Sequence, residues 1–133
     1  MSTITAHLSR PATSRGPAVL AAFGLALVAL IHLLDGPGSL EESAPIGLLE
    51  LGLAAATMPL ALALIVCPVR EVWIAAAAFC WAALGFYIAS RTIGLFGMTD
   101  DIGNWWTLLG VLNVLAEVAV FGVALAAAFR WRR

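Results

Sequence analysis

Residues 105–129 read WWTLLGVLNVLAEVAVFGVALAAAF, an apolar stretch with one ionisable side chain, Glu117. At about 1.5 Å of rise per residue, a helix of this length more than crosses a hydrocarbon core of roughly 30 Å. Trp105 and Trp106 open it, and Arg130, Trp131, Arg132 and Arg133 follow it. Aromatic and basic residues of this kind belong at the two membrane–water interfaces. Within the stretch, Trp106, Gly110, Asn113 and Glu117 recur at i, i+4, i+7 and i+11 and so form one stripe along a helix. A glycine on that stripe lets a second backbone come close, so the polar stripe is expected to face other helices and not lipid. The stretch predicts a transmembrane helix with a polar inner face.

Three further apolar stretches lie upstream, at 17–34, 45–66 and 72–90. Each is long enough to be a span, and Pro17 suits the first turn of a helix. Arg10 and Arg15 precede the first span as they would in a signal peptide. The apolar run is nevertheless long for that purpose, and Asp35-Gly36-Pro37-Gly38 is a poor cleavage site, which predicts an uncleaved anchor. The segment 35–44 carries turn chemistry in Gly36, Pro37 and Gly38 and is expected to be a loop. Residues 67–71 and the Gly-containing segment 91–104 supply the other two connections. Short connections favour antiparallel neighbours, so the predicted fold is all-α, a polytopic four-helix bundle running up-down-up-down. Period-2 alternation is absent, which excludes a transmembrane β-barrel. Residues 1–16, rich in Ser and Thr, are expected to form a flexible cytoplasmic tail ahead of a transmembrane domain at 17–133.

Composition agrees with this class. Of 133 residues, 62% are hydrophobic and 11% charged, and the mean hydropathy is +1.00. A soluble domain is about 25% charged, so neither a soluble globular fold nor a disordered chain fits. The seven basic residues are all Arg, and their distribution orients the chain. Arg10, Arg15, Arg70, Arg130, Arg132 and Arg133 fall on one predicted side and Arg91 on the other. The positive-inside rule then predicts both termini in the cytoplasm and a multi-pass protein of the plasma membrane. Trp73 and Trp131 are expected in the inner aromatic belt, Trp105 and Trp106 in the outer one.

Ionisable residues within spans are the candidate functional groups. His32, Glu50 and Arg91 fall at similar depth in the outer leaflet, and Glu117 lies about 18 Å into its helix, near the midplane. His32 shares a helix face with Ala21, Leu25 and Val28, with Asp35 one turn later; Gly47, Glu50, Ala54 and Thr57 make a second small-and-polar stripe. Pro59 is expected to kink its helix and free a carbonyl to line a cavity. Together these predict an outward-facing polar pocket that binds a small ligand or ion. His32, Glu50, Arg91, Trp106, Asn113 and Glu117 would wall it, under a loop bearing Asp100 and Asp101. Arg91 is expected to meet one of Asp100, Asp101 and Glu50. The plain structural alternatives are ion pairing and snorkelling for Arg91, an interfacial hydrogen bond for His32, and a neutral Glu117 carboxyl bonded to Asn113. His32, Glu50 and Glu117 are the only candidate metal ligands, and they lack the paired helical spacing of a dedicated site. With His7 in the tail, one His remains for a haem, and Cys67 and Cys80 form no CxxC. The sequence leaves the cofactor unknown.

The run Tyr87–Trp106, YIASRTIGLFGMTDDIGNWW, joins His32-Leu33, Gly110 and Glu117 in a pattern that resembles a group of small four-helix membrane proteins of high-GC bacteria. Ser90, Arg91, Thr92, Gly94 and Leu95 match a Ser-Arg-Thr-x-Gly-Leu-Pro run, with Phe96 where the group has proline. The resemblance covers mainly the C-terminal half, and implies the architecture and the importance of this loop, with no activity attached.

Nucleotide and hydrolase motifs are absent, and the terminal arginines suit anionic lipid and not nucleic acid. The expected partners are therefore the lipid bilayer, a small ligand or ion, and a second copy or another membrane subunit. Two other functions compete with a pocket protein that acts as carrier, sensor or accessory subunit. One is an assembly subunit whose polar residues bind partner helices. The other is a small membrane enzyme using His32 and a carboxylate in acid–base chemistry.

Overall fold

The structure is a computed structural model and describes residues 15–130. Arg10, His7, Trp131, Arg132, Arg133 and most of the expected tail lie outside the described residues. Among the described residues the fold has four helices: α1 Arg15–Glu42, α2 Ala44–Val66, α3 Arg70–Thr92 and α4 Leu108–Arg130. Each is long and apolar enough to cross a membrane. Large apolar side chains such as Phe23, Leu62, Trp81 and Leu115 are exposed on the outer faces. Such an exterior suits lipid and not water.

The largest departure from expectation is α1. The segment 35–44 is not a loop: α1 runs through Gly36-Pro37-Gly38 to Glu42, leaving Ser43 as the whole connection to α2. Proline inside a helix removes one hydrogen bond and ordinarily breaks it. Here packing against α2 outweighs that local preference. A Cβ at Gly36 would lie 2.8 Å from Leu51 Cδ2, and one at Gly47 would collide with the Leu40 backbone. The two helices therefore meet backbone to side chain, and at membrane depth an open loop would leave polar backbone groups unsatisfied. Arg15 and Gly16, expected in the tail, form the first turn of α1.

Helix α4 starts at Leu108, three residues later than expected. Thr107 supplies the reason: its Oγ1 accepts the Gly110 N–H at 3.3 Å and its carbonyl accepts the Val111 N–H at 2.9 Å. That is an N-cap, and it ends the preceding loop. At the other end of that loop, Gly94 (φ +76) follows α3 in a left-handed conformation, where a Cβ would collide with the Met98 carbonyl. Phe96 and Gly97 both have positive φ between Leu95 and Met98, whose carbonyl and N–H are bonded at 2.9 Å. This is a tight turn of the type that needs two positive φ angles.

α1 packs along α2 and α4, α3 packs along α4, and α2 meets α3 only briefly. The interior has two storeys. One is apolar and rich in alanine: Ala18, Ala21 and Leu25 meet Ala61 and Leu64, Ala76 and Ala77, and Val120, Ala124 and Ala128. Small residues let the helices close around Trp73, which is fully buried there and donates its Nε1–H to the Pro68 carbonyl at 3.2 Å. Trp73 is thus a core residue and not part of an interfacial belt. Thr57, Cys80 and Glu117, all fully buried, form the boundary to the second storey, which is polar.

Candidate functional site

The polar storey holds a cavity of about 110 Å³. It is built from the C-terminal halves of α1 and α3, the N-terminal halves of α2 and α4, and the 93–107 loop. His32, Glu50, Arg91, Asp101 and Asn113 all line it. At about 30 Å³ per water, the space suits three or four waters or a small molecule. Asp101, whose side chain is 40% exposed, stands at the rim.

Arg91 organises the rim. It sits in the last turn of α3, where a cation complements the helix dipole. Its Nη1 forms an ion pair with Asp101, meeting the expected need for a carboxylate. Its guanidinium carbon lies 5.0 Å from the centre of the Tyr87 ring, within cation–π range. Tyr87 in turn donates its O–H to the Trp105 carbonyl at 3.0 Å and meets the Trp105 ring edge-on. The Arg91 carbonyl accepts the Gly103 N–H at 2.9 Å. Arg91 and Tyr87 therefore tie α3 to the second half of the loop, at Asp101, Gly103 and Trp105.

Glu50 enters from α2. It takes a side-chain hydrogen bond from Ser39 and lies within electrostatic range of Asp35, Asp101 and Arg91. Ser39 meets Glu50 because α1 continues as a helix past Gly38. Asn113 enters from α4 and donates Nδ2–H to Glu117 Oε1 at 2.9 Å. Both residues are enclosed, Glu117 at 0% and Asn113 at 6% exposure. Several buried polar atoms have no hydrogen-bond partner among the described residues, including His32 Nε2, Glu50 Oε2, Arg91 Nε, Asn113 Oδ1 and Glu117 Oε2. A buried polar atom left unpaired costs about 1–3 kcal/mol.

Three of the expected site residues stand elsewhere. Glu117 does not line the cavity; it lies one helical turn behind Asn113. Trp106 is 87% exposed, because α4 begins after it and the helical stripe does not extend back to it. Asp100 is exposed on the loop, and the adjacent Asp101 makes the ion pair. Pro59 lies within α2 on an exposed face, well past Leu53, where the cavity's α2 wall ends, so no freed carbonyl contributes. Among the described residues no three His, Cys, Asp or Glu side chains come close enough to hold a metal ion, so His32, Glu50 and Glu117 are not a ligand set.

Asp35, Tyr87, Ser90 and Thr107 also line the cavity, though none of them was among the expected site residues. Helical spacing carried the signal for two of them: Asp35 is i+3 from His32, and Tyr87 is i−4 from Arg91. The Gly-Pro-Gly turn signal masked the first.

No protein-family model, curated protein or solved structure matches the chain.

Proposed function

We propose that this is a multi-pass plasma-membrane protein whose outward-facing intramembrane cavity binds a small ligand, as a carrier, sensor or accessory subunit. The observation that supports it is the single cavity onto which His32, Glu50, Arg91, Asp101 and Asn113 converge, with buried polar atoms on its wall that have no partner. Polar groups at membrane depth are expensive, and a wall that leaves them unpaired suits a site completed by a ligand. An up-down-up-down arrangement with both termini in the cytoplasm belongs to this reading. It is supported by the alternating halves of the helices that meet at the cavity, and by Arg15, Arg70 and Arg130 at the helix ends remote from it. Kinship with small four-helix membrane proteins of high-GC bacteria is proposed on the same terms.

An assembly subunit would present Asn113 or Glu117 to a partner helix; both are instead enclosed within the chain. An enzyme would pair His32 with a carboxylate, and His32 Nε2 has no partner. The test is thermal unfolding of the purified protein in detergent against a panel of small amines, carboxylates, phosphates, alcohols and sugars. At least one compound is expected to raise the unfolding temperature, and Asn113→Ala to weaken that effect at least tenfold. If no compound stabilises the protein, the binding function fails.

A further inference from the structure

The cavity wall is unbalanced in charge. Three carboxylates, Asp35, Glu50 and Asp101, face one guanidinium, Arg91. Arg91 is engaged on two sides, by Asp101 and by the Tyr87 ring. Asp35 and Glu50 form no ion pair among the described residues, yet each lies in the field of the other charged groups, Glu50 in that of Asp35 itself. Two carboxylates that share one low-dielectric space, with one cation nearby that is already paired to a third, repel each other.

The unpartnered atoms carry a second, independent signal. Glu50 Oε2 and Asn113 Oδ1 are acceptors, and Asn113 is enclosed at 6% exposure. Its Nδ2 bonds Glu117, and the atom it leaves without a partner is its oxygen. An ammonium group has three N–H donors and no acceptor, which complements such a wall. The rest of the lining combines His32, Tyr87, Ser90 and Thr107 with apolar side chains, among which Ile31, Leu49, Leu53 and Phe86 suit a short hydrocarbon stem. A divalent metal would want several carboxylates in one tight shell, and no such group of three exists among the described residues. Arg91 Nε is an unpartnered donor on the same wall, but its guanidinium is committed to Asp101 and to the Tyr87 ring, and three carboxylates against one guanidinium leave the cavity net negative.

Resting on the ligand-binding reading above, we propose that the ligand is a small organic cation, a short-chain primary ammonium, held between Asp35 and Glu50 with its N–H groups directed at Glu50 Oε2 and Asn113 Oδ1.

The experiment is thermal unfolding of the full chain in detergent with ethylammonium chloride, with potassium chloride, sodium acetate and ethanol as matched probes. Ethylammonium is expected to give a saturable rise in unfolding temperature beyond that of potassium chloride at equal ionic strength, while acetate and ethanol give none. Glu50→Gln and Asp35→Asn, each close in shape to the native residue, should each weaken the response at least tenfold. Asp100→Asn, exposed and outside the cavity, should leave it unchanged. Equal stabilisation by potassium, acetate or ethanol overturns the amine assignment, as does an undiminished ethylammonium response in the Asp35→Asn/Glu50→Gln double variant. Absence of any ethylammonium effect overturns it too, and the broad compound panel then decides separately whether the cavity binds anything.

Discussion

At the scale of single residues, the Asn113–Glu117 pair is the costliest polar feature, because both side chains lie in the interior with one hydrogen bond between them. Glu117→Gln keeps an oxygen for Asn113 Nδ2 and should unfold within about 0.5 kcal/mol of the native protein, as a substitution that preserves shape and bonding does. Glu117→Leu strands Asn113 without a partner and should cost about 1–3 kcal/mol. Reversible unfolding of both variants in detergent distinguishes them, and a Leu variant as stable as the native chain would show that the bond contributes nothing. Phe96 offers a second comparison. It stands where the resembled group has proline, but its φ of +51 lies outside the range a proline ring allows. Phe96→Gly should relieve about 1–2 kcal/mol of left-handed strain. Phe96→Pro should destabilise the protein, because it forces the 93–107 loop into another path. A proline variant with unchanged thermal stability would mean that the turn at 95–98 is dispensable.

At the scale of elements, the α1–α2 hairpin depends on close approach and not on its turn. Two glycines on α2 make the point. A Cβ at Gly47 would run into the Leu40 backbone, which cannot move without shifting α1, whereas a Cβ at Gly52 meets nothing within 4 Å. Gly47→Ala should therefore destabilise by about 1–3 kcal/mol or more through overpacking. Gly52→Ala should be neutral or stabilise by about 0.5–1 kcal/mol, the helix-propensity difference. Unfolding temperatures for the two variants check this, and the expected order is Gly52→Ala at or above the native protein with Gly47→Ala well below. The reverse order would place the hairpin contact elsewhere. The same contact bears on the cavity: Ser39 meets Glu50 only while α1 stays helical beyond Gly38, and Asp35 lines the cavity from the same helix. Disturbing Gly47 should accordingly weaken ligand binding as well as stability.

For the whole molecule, the proposed orientation has a direct check in two exposed sites at opposite ends of α3. That helix is about 34 Å long at about 1.5 Å per residue. Cys67 is exposed just before it, while Cys80 is buried within it and unreactive by position. Asp100 is exposed in the loop that follows. A membrane-impermeant maleimide should label Asp100→Cys, in a Cys67→Ser background, in intact spheroplasts, and should reach Cys67 only after the membrane is opened. The opposite pattern would invert the topology. Much of this molecule was legible in its sequence because the bilayer imposes a simple rule: a spanning helix must satisfy its own backbone and show lipid an apolar face. Length and hydropathy were therefore enough for four helices, with α2 bounded at 44–66 almost as the sequence implied. Helical spacing alone placed Asn113 and Glu117 inward and His32 on the buried face of α1, since lipid tolerates neither polar group. Interhelical packing decided what those rules could not. The extension of α1 through Gly-Pro-Gly, the choice of Asp101 over Asp100 as partner of Arg91, and the exclusion of Glu117 and Trp106 from the cavity all depend on which surfaces meet. Turn propensity and stripe periodicity are properties of a short segment, worth about a kilocalorie or a few. Contact between helices brings together residues dozens of positions apart, and no local pattern encodes that sum.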